Sequence, residues 1–189
     1  MIGHVVFTCI ANRVRSPFAE FLFTDIMNRR GVDIAVSSGG YVPQELKDRL
    51  DDANIGMPDP FFNRPMSEFT RNVLLEKDII VPKEWRSKEL RFETVKESDL
   101  LITAISMQKE GLSVDYREFR NKIYTITDLS EKTDYTFLED FSILPLYDTD
   151  TFWQYVEEDP EYVSRTLKAW EEILIGAIPN ITNLLKSKR

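Results

Sequence analysis

The sequence predicts an α/β fold built on a parallel β-sheet, and three consecutive features near the N-terminus support this prediction. Residues 5–8 form an uncharged apolar run, which is typical of a buried strand. Residues 16–30 carry apolar side chains at helical spacing, and residues 34–36 form a second short apolar run. A strand, a helix and a strand in this order form a βαβ unit, whose strands run parallel with a right-handed crossover.

The rest of the chain continues this α/β order. Apolar periodicity predicts helices at residues 70–77, 92–97 and 106–112, strands at 99–104 and 122–126, and a helical segment at 159–185. Pro179 is expected to break that last segment, because proline lacks the backbone N–H that a helix uses. We therefore expect a single domain over residues 1–189, with a long C-terminal helical segment from about residue 159.

The composition is that of an acidic globular protein. Hydrophobic side chains make up 42% of the 189 residues and charged side chains 30%, and the net charge is −8. A protein that binds nucleic acid would carry a basic face, and an anionic membrane would repel this charge, so we expect neither partner. No stretch approaches the roughly 20 apolar residues of a membrane span.

Cysteine and histidine each occur once, as Cys9 and His4. A single cysteine forms no internal disulfide, and the N-terminus lacks a charged region before its short apolar run. A reducing cytoplasm is therefore the expected location. One cysteine and one histidine do not make a structural zinc site, and we expect no metal or cofactor. We interpret His4 as a strand-edge residue rather than a catalytic base.

The segment from Cys9 to Ser16 joins the first strand to the first helix. Ser16 is expected to cap that helix, with Pro17 in its first turn. The unsatisfied N–H groups and the positive dipole end of a helix N-terminus bind anions and favour a thiolate. The order of strand, Cys9, loop, Arg15 and helix therefore indicates a thiolate nucleophile at the floor of an oxyanion-binding loop. Taken alone, Cys9 is also consistent with a small buried side chain that packs in the core and has no catalytic role.

A wider pattern runs from this loop into the helix. It consists of Cys9, Asn12, Arg15, Ser16, Pro17, Ala19 and Glu20. This string resembles the signature of the low-molecular-weight protein tyrosine phosphatase family. The resemblance implies a three-layer α/β/α domain with a four-stranded parallel sheet and a phosphate-binding loop after strand one.

The resemblance also implies a role for each part of the loop. Cys9 is the implied nucleophile, Arg15 binds the phosphoryl oxygens, and Ser16 donates to the leaving thiolate. The implied substrate-binding backbone comprises Ile10, Ala11, Asn12, Arg13, Val14 and Arg15. The implied partner is a phosphorylated protein or a small phosphomonoester, and inorganic phosphate or sulfate is expected to occupy the loop.

A serine-rich turn follows the second predicted strand. The sequence Ser37-Ser38-Gly39 resembles the family's Ser-Ala-Gly landmark. By position, Ser37 is expected to hold Asn12 and so to support the loop. A plain Ser/Gly turn without that role is the alternative.

Residues 41–69 are longer than the corresponding connection in the family, and we interpret them as an insertion with a short, charged and exposed helix. Long loops in compact domains are often binding or lid elements. Tyr41, Phe61 and Phe62 are candidates for the wall of a cleft, with Tyr41 as a substrate-binding residue. An ordinary apolar cluster fits these three residues equally well.

The general acid is the point where the chain departs from the family pattern. The family has an Asp-Pro-aromatic motif before the last helix, whereas Leu144 precedes Pro145 here. Leucine cannot transfer a proton. We therefore take Asp148 as the replacement, with Asp140 and Asp150 as alternatives.

Together these features predict a phosphatase that hydrolyses phosphotyrosine or a small aryl or acyl phosphate through a cysteinyl-phosphate intermediate. One alternative is an oxyanion-binding or partner-binding protein that has lost full catalysis, as Leu144 would favour. Another is an arsenate reductase. The thioredoxin-coupled type needs further cysteines, which this chain lacks, so this alternative would use an external thiol.

Overall fold

The computed structural model describes residues 2–130 and 160–188. Four strands form one parallel sheet in the order β2-β1-β3-β4. They are β1 (His4–Cys9), β2 (Ala35–Gly40), β3 (Leu100–Thr103) and β4 (Ile123–Thr125). The predicted α/β fold with a four-stranded parallel sheet is confirmed.

Helices connect and cover these strands. In the described ranges they are α1 (Arg15–Arg29), α2 (Gln44–Asp52), α3 (Glu68–Leu75), α4 (Phe92–Glu97), α5 (Ser106–Asp115), α6 (Ile126–Leu129) and α7 (Pro160–Ser187). A 3₁₀ helix, Arg117–Lys122, precedes β4. The charged helix expected after residue 41 is α2, but it is only partly exposed, because Leu46 and Leu50 are buried.

The sheet separates two hydrophobic clusters. Val5 and Phe7 belong to the larger cluster, with side chains of α1, α3 and α7, whereas Val6 belongs to the smaller cluster with Val95 of α4 and Leu112 of α5. Alternate residues of a strand point to opposite faces, so the apolar run of β1 fills both clusters. Burial on both faces explains why β1 is continuously apolar rather than alternating.

Two boundaries near the loop differ from those predicted. Strand β2 does not end at Val36 but continues to Gly40, where it pairs with Cys9. Helix α1 begins at Arg15, with Val14 at its N-cap and no side-chain capping bond, so the prediction that Ser16 caps the helix is wrong. Ser16 instead lies in the first turn, where its hydroxyl faces the Cys9 loop.

The predicted break at Pro179 is also wrong, because α7 continues through this residue. The carbonyl that loses its helical donor is that of Ile175, a residue that is 50% exposed, so water can satisfy it. Leu174, Ile178 and Ile181 are buried and hold both halves against the core. A proline inside a helix destabilises it by about 3 kcal/mol, whereas burial of each of these three side chains stabilises the fold by about 1.5–3 kcal/mol. The packing of α7 against the core therefore outweighs the effect of the proline.

No helix within residues 2–130 or 160–188 is both long enough and apolar enough to cross a membrane.

Candidate active site

Cys9 is the last residue of β1 and lies on the floor of the loop that leads to α1. Its side chain is buried, with 3% exposure, and its carbonyl accepts a 2.9 Å hydrogen bond from the backbone N–H of Tyr41. Its Sγ lies 3.0 Å from the Oγ of Ser16. A hydroxyl at this distance can donate to a thiolate sulfur and stabilise its charge.

Asn12 forms the centre of the loop. Its φ of 54° lies in the left-handed region, which asparagine tolerates better than most residues. Its Nδ2 donates to Ser16 Oγ at 2.9 Å and to Ser38 Oγ at 2.7 Å, while its Oδ1 accepts from the backbone N–H of Lys88 at 3.0 Å. This fully buried amide therefore ties the loop to α1, to β2 and to the segment around Lys88.

The support residue of Asn12 is Ser38, so the prediction of Ser37 is wrong. Ser37 Oγ lies 2.8 Å from Nε2 of His4, away from the loop. The strand continues through both serines, and consecutive strand residues point to opposite faces. Ser37 and Ser38 therefore lie on opposite faces of the sheet, and it is the face of Ser38 that contacts the loop.

Glu20 extends this network by one hydrogen bond. Ser38 Oγ donates to its carboxylate Oε2 at 2.5 Å. Burial raises the pKa of Glu20, and the Ser38 hydrogen bond and the charge of Lys88 oppose that shift. Sequence reasoning included Glu20 in the motif without giving it a role. The sequence does carry a signal for this role, because Glu20 lies one helical turn after Ser16 and so on the same side of α1.

The loop backbone leaves several donors unused. Among the described residues, the N–H groups of Ile10, Ala11, Asn12 and Val14 have no hydrogen-bond acceptor. Arg15 follows as the first residue of α1 and is 5% exposed. Unsatisfied N–H groups at a helix N-terminus, beside a guanidinium, suit a tetrahedral oxyanion.

Arg13 fastens the loop to the segment before α3. Its Nε donates to the carbonyl of Pro65 at 2.9 Å, and its own carbonyl accepts from the N–H of Ser67 at 3.0 Å. The side chain is buried, with 4% exposure. Arg13 thus holds residues 65–67, which belong to the stretch interpreted as an insertion, against the loop.

Tyr41 and Phe62 lie on the side of the loop next to β2. Phe62 covers Gly40, since a Cβ built on Gly40 would lie 2.3 Å from the ring and 2.7 Å from the carbonyl of Ile10. Tyr41 lines a cavity of about 510 Å³ with Phe61 and Phe62, and its Oη donates to Asp115 at 2.7 Å. The three aromatic residues therefore do line one cavity beside the loop.

The candidate acid residues Asp140, Asp148 and Asp150, and Leu144, lie outside the described residues, so these assignments stay predictions. His4 is at the opposite end of β1 from Cys9. In the described ranges, no group of three or more His, Cys, Asp or Glu side chains could hold a metal ion.

Comparison with known proteins agrees with this geometry. Residues 4–57 match the sequence model of the low molecular weight phosphotyrosine protein phosphatase family. The family resemblance is confirmed. A protein-arginine-phosphatase of Bacillus subtilis (strain 168) is 24% identical over 124 residues, which cover 66% of this chain and 70% of the relative.

Solved structures of such phosphatases share the fold. A low molecular weight protein tyrosine phosphatase from T. tengcongensis superimposes with a TM-score of 0.65 at 24% identity, over 94% of this chain and 99% of the other. A YwlE mutant from Bacillus subtilis gives a TM-score of 0.62 at 20% identity, over 99% of each chain. Both structures are less than 25% identical to this chain, and what they share with it is the fold.

Proposed function

We propose that this protein is a cysteine-dependent phosphatase that hydrolyses phosphotyrosine, or a small aryl or acyl phosphate, through a cysteinyl-phosphate intermediate. One observation carries the proposal: Cys9 Sγ lies 3.0 Å from Ser16 Oγ on the floor of a loop whose N–H groups are unused. Binding of phosphate alone does not need a thiol at this point.

In the first step the Cys9 thiolate attacks phosphorus, an S–P bond forms and the bond to the leaving oxygen breaks. The loop N–H groups and the Arg15 guanidinium bind the equatorial oxygens, so the donors are in place before negative charge develops. The leaving group takes a proton from an acid, for which Asp148 is the proposed residue.

In the second step water attacks the cysteinyl-phosphate, and Asp148 in its carboxylate form accepts a proton from that water. The P–S bond breaks, inorganic phosphate leaves and the thiolate returns. Ser16 donates a hydrogen bond to the departing sulfur, which favours the thiolate over the thiol. The network of Asn12, Ser38 and Glu20 acts through the loop and is a positioning network.

Phosphoarginine is a second candidate substrate, because the Bacillus subtilis relative is a protein-arginine-phosphatase. The same thiolate would then break a P–N bond and release a guanidinium. A cytoplasmic location is proposed with either substrate, since it would keep the nucleophile reduced.

The test compares wild type with Cys9→Ser on p-nitrophenyl phosphate, a phosphotyrosine peptide and a phosphoarginine peptide. We expect turnover by the wild type and none by Cys9→Ser, and the ratio of kcat/KM for the two peptides assigns the substrate class. Absence of turnover by a folded wild type that still binds phosphate would favour the oxyanion-binding alternative. Thiol-dependent production of arsenite from arsenate would favour the reductase.

A further inference from the structure

The cavity beside the loop combines aromatic walls with acidic side chains. Its lining includes the aromatic residues Tyr41, Phe61, Phe62 and Tyr116 and the acidic residues Glu89 and Asp115. At about 510 Å³ it is large enough for one long side chain of a bound peptide.

The cavity adjoins the phosphate loop. Tyr41 directly follows Gly40, the strand partner of Cys9, and Phe62 stands between Gly40 and the cavity. Glu89 lies next to Lys88, whose N–H holds the Asn12 side chain. An extended peptide advances about 3.3 Å per residue, and Tyr41 directly follows the strand partner of Cys9, so we expect a residue one or two positions from the phosphorylated one to reach this cavity.

Within residues 2–130 and 160–188, neither of the two carboxylates has a cationic partner. Asp115 accepts a hydrogen bond from the Tyr41 hydroxyl, and neither Asp115 nor Glu89 forms an ion pair with a described Lys or Arg. Lys47 also lines the cavity, which leaves the acids in excess. Burial and the nearby charges of Asp115 and Glu89 raise the pKa of Tyr116, as expected for a negative field in this cavity.

We propose that this cavity is a subsite for an arginine side chain next to the phosphorylated residue of a peptide or protein substrate. The inference rests on the phosphatase function proposed above. A guanidinium stacks on aromatic faces and pairs with carboxylates through two parallel hydrogen bonds. The excess of negative charge would repel an acidic side chain, and an apolar side chain would form no ion pair with the two exposed carboxylates.

The test uses three phosphotyrosine peptides that carry Arg, Ala or Glu two residues to either side of the phosphotyrosine. Both kcat/KM of the wild type and the Kd of the Cys9→Ser protein are measured, so the preference is read with and without turnover. Asp115→Asn with Glu89→Gln is the test variant. Asp51→Asn with Glu118→Gln, two exposed acids outside the cavity lining, is the matched control.

The wild type should favour the Arg peptide over the Ala peptide by about threefold to tenfold, and the Glu peptide should be poorest. In the test variant, the ratio of kcat/KM for the Arg peptide to that for the Ala peptide should fall close to one. The control variant should keep the ratio of the wild type. This ratio is insensitive to a general loss of activity. Equal affinity for the three peptides, or an unchanged ratio in the test variant, would overturn the subsite.

Failure of the subsite and failure of the phosphatase function give different results. Without turnover of p-nitrophenyl phosphate the phosphatase function fails, yet the Kd values of the Cys9→Ser protein still decide the subsite. With normal turnover and no arginine preference, only the subsite fails.

Discussion

The side-chain amide of Asn12 donates to Ser38 Oγ at 2.7 Å, and this hydrogen bond couples the Cys9 loop to strand β2. Ser38 in turn donates to Glu20, and Asn12 also donates to Ser16, whose Oγ contacts the Cys9 sulfur. A chain of hydrogen bonds thus connects the half-buried carboxylate of Glu20 to the proposed nucleophile. The geometry of the loop therefore depends on residues that do not themselves touch a bound phosphoryl group.

Ser38→Ala should lower both activity and stability. It leaves an Asn12 N–H and the Glu20 carboxylate without their shared partner, at a cost of about 1–3 kcal/mol in the free energy of unfolding. Misplacement of Asn12 should lower kcat on the order of tenfold. Urea unfolding and steady-state kinetics measure the two effects.

Ser37→Ala is the matched control for this change. It removes the neighbouring hydroxyl, which contacts His4 and not the loop, so kcat should stay close to that of the wild type. If the Ser37 variant loses activity and the Ser38 variant keeps it, the assignment of the support residue is wrong.

Glu20→Gln should change how stability depends on pH. Burial raises the pKa of Glu20, so the folded protein holds this proton more tightly than the unfolded chain. The stabilising contribution is complete below the unfolded pKa of Glu20 and is lost as pH rises through the folded pKa. The free energy of unfolding of the wild type, relative to Glu20→Gln, should therefore fall over that window.

Urea unfolding at a series of pH values measures this difference, with the exposed Glu118→Gln as the control. If the free energy of unfolding depends on pH in the same way for the wild type and Glu20→Gln, the Glu20 carboxyl has the same proton affinity in the folded and the unfolded protein.

Gly40→Ala should disturb the loop through Phe62. The added methyl would lie 2.3 Å from the Phe62 ring and 2.7 Å from the Ile10 carbonyl, and the backbone oxygen cannot turn away as a ring can. We expect a loss of about 1–3 kcal/mol in stability and a lower kcat. Adding Phe62→Ala should restore only part of the stability, because the contact with Ile10 persists. Full restoration would mean that the ring alone causes the effect.

The parallel sheet and the Cys9 loop could be predicted from the sequence, because both depend on local patterns. The apolar run of β1 and the string from Cys9 to Glu20 are short and contiguous. The choice between Ser37 and Ser38 was missed because it depends on how far β2 continues, which a run of Ser and Gly does not reveal. Because side chains alternate between the two faces of a strand, a shift of one residue in register decides which serine faces Asn12.

Tertiary packing explains the other differences. The continuation of α7 through Pro179 depends on the core that buries Leu174 and Ile178, and the cavity depends on Tyr41 and Tyr116 meeting from distant parts of the chain. Neither feature has a local signal. The proposed arginine subsite likewise has no local signal, because Glu89 and Asp115 come from separate parts of the chain and share one cavity only in the folded protein.

Asp148→Asn tests the proposed general acid. The loss should be about 10²–10⁴-fold in kcat with phosphotyrosine, whose phenol is a poor leaving group. It should be much smaller with p-nitrophenyl phosphate, which needs little protonation. Asp140→Asn and Asp150→Asn test the two alternative acids, and an Asp148→Asn variant that keeps wild-type kcat with phosphotyrosine would remove Asp148 from this role.

The central claim is a covalent phosphoryl group on Cys9, and acid quenching during turnover followed by peptide mass spectrometry tests it most directly. With p-nitrophenyl phosphate, the peptide that contains Cys9 should carry one phosphoryl group in the wild type, and Asp148→Asn should accumulate more of it because breakdown slows. Turnover that persists in Cys9→Ser, with no phosphoryl group on this peptide in the wild type, would contradict the mechanism.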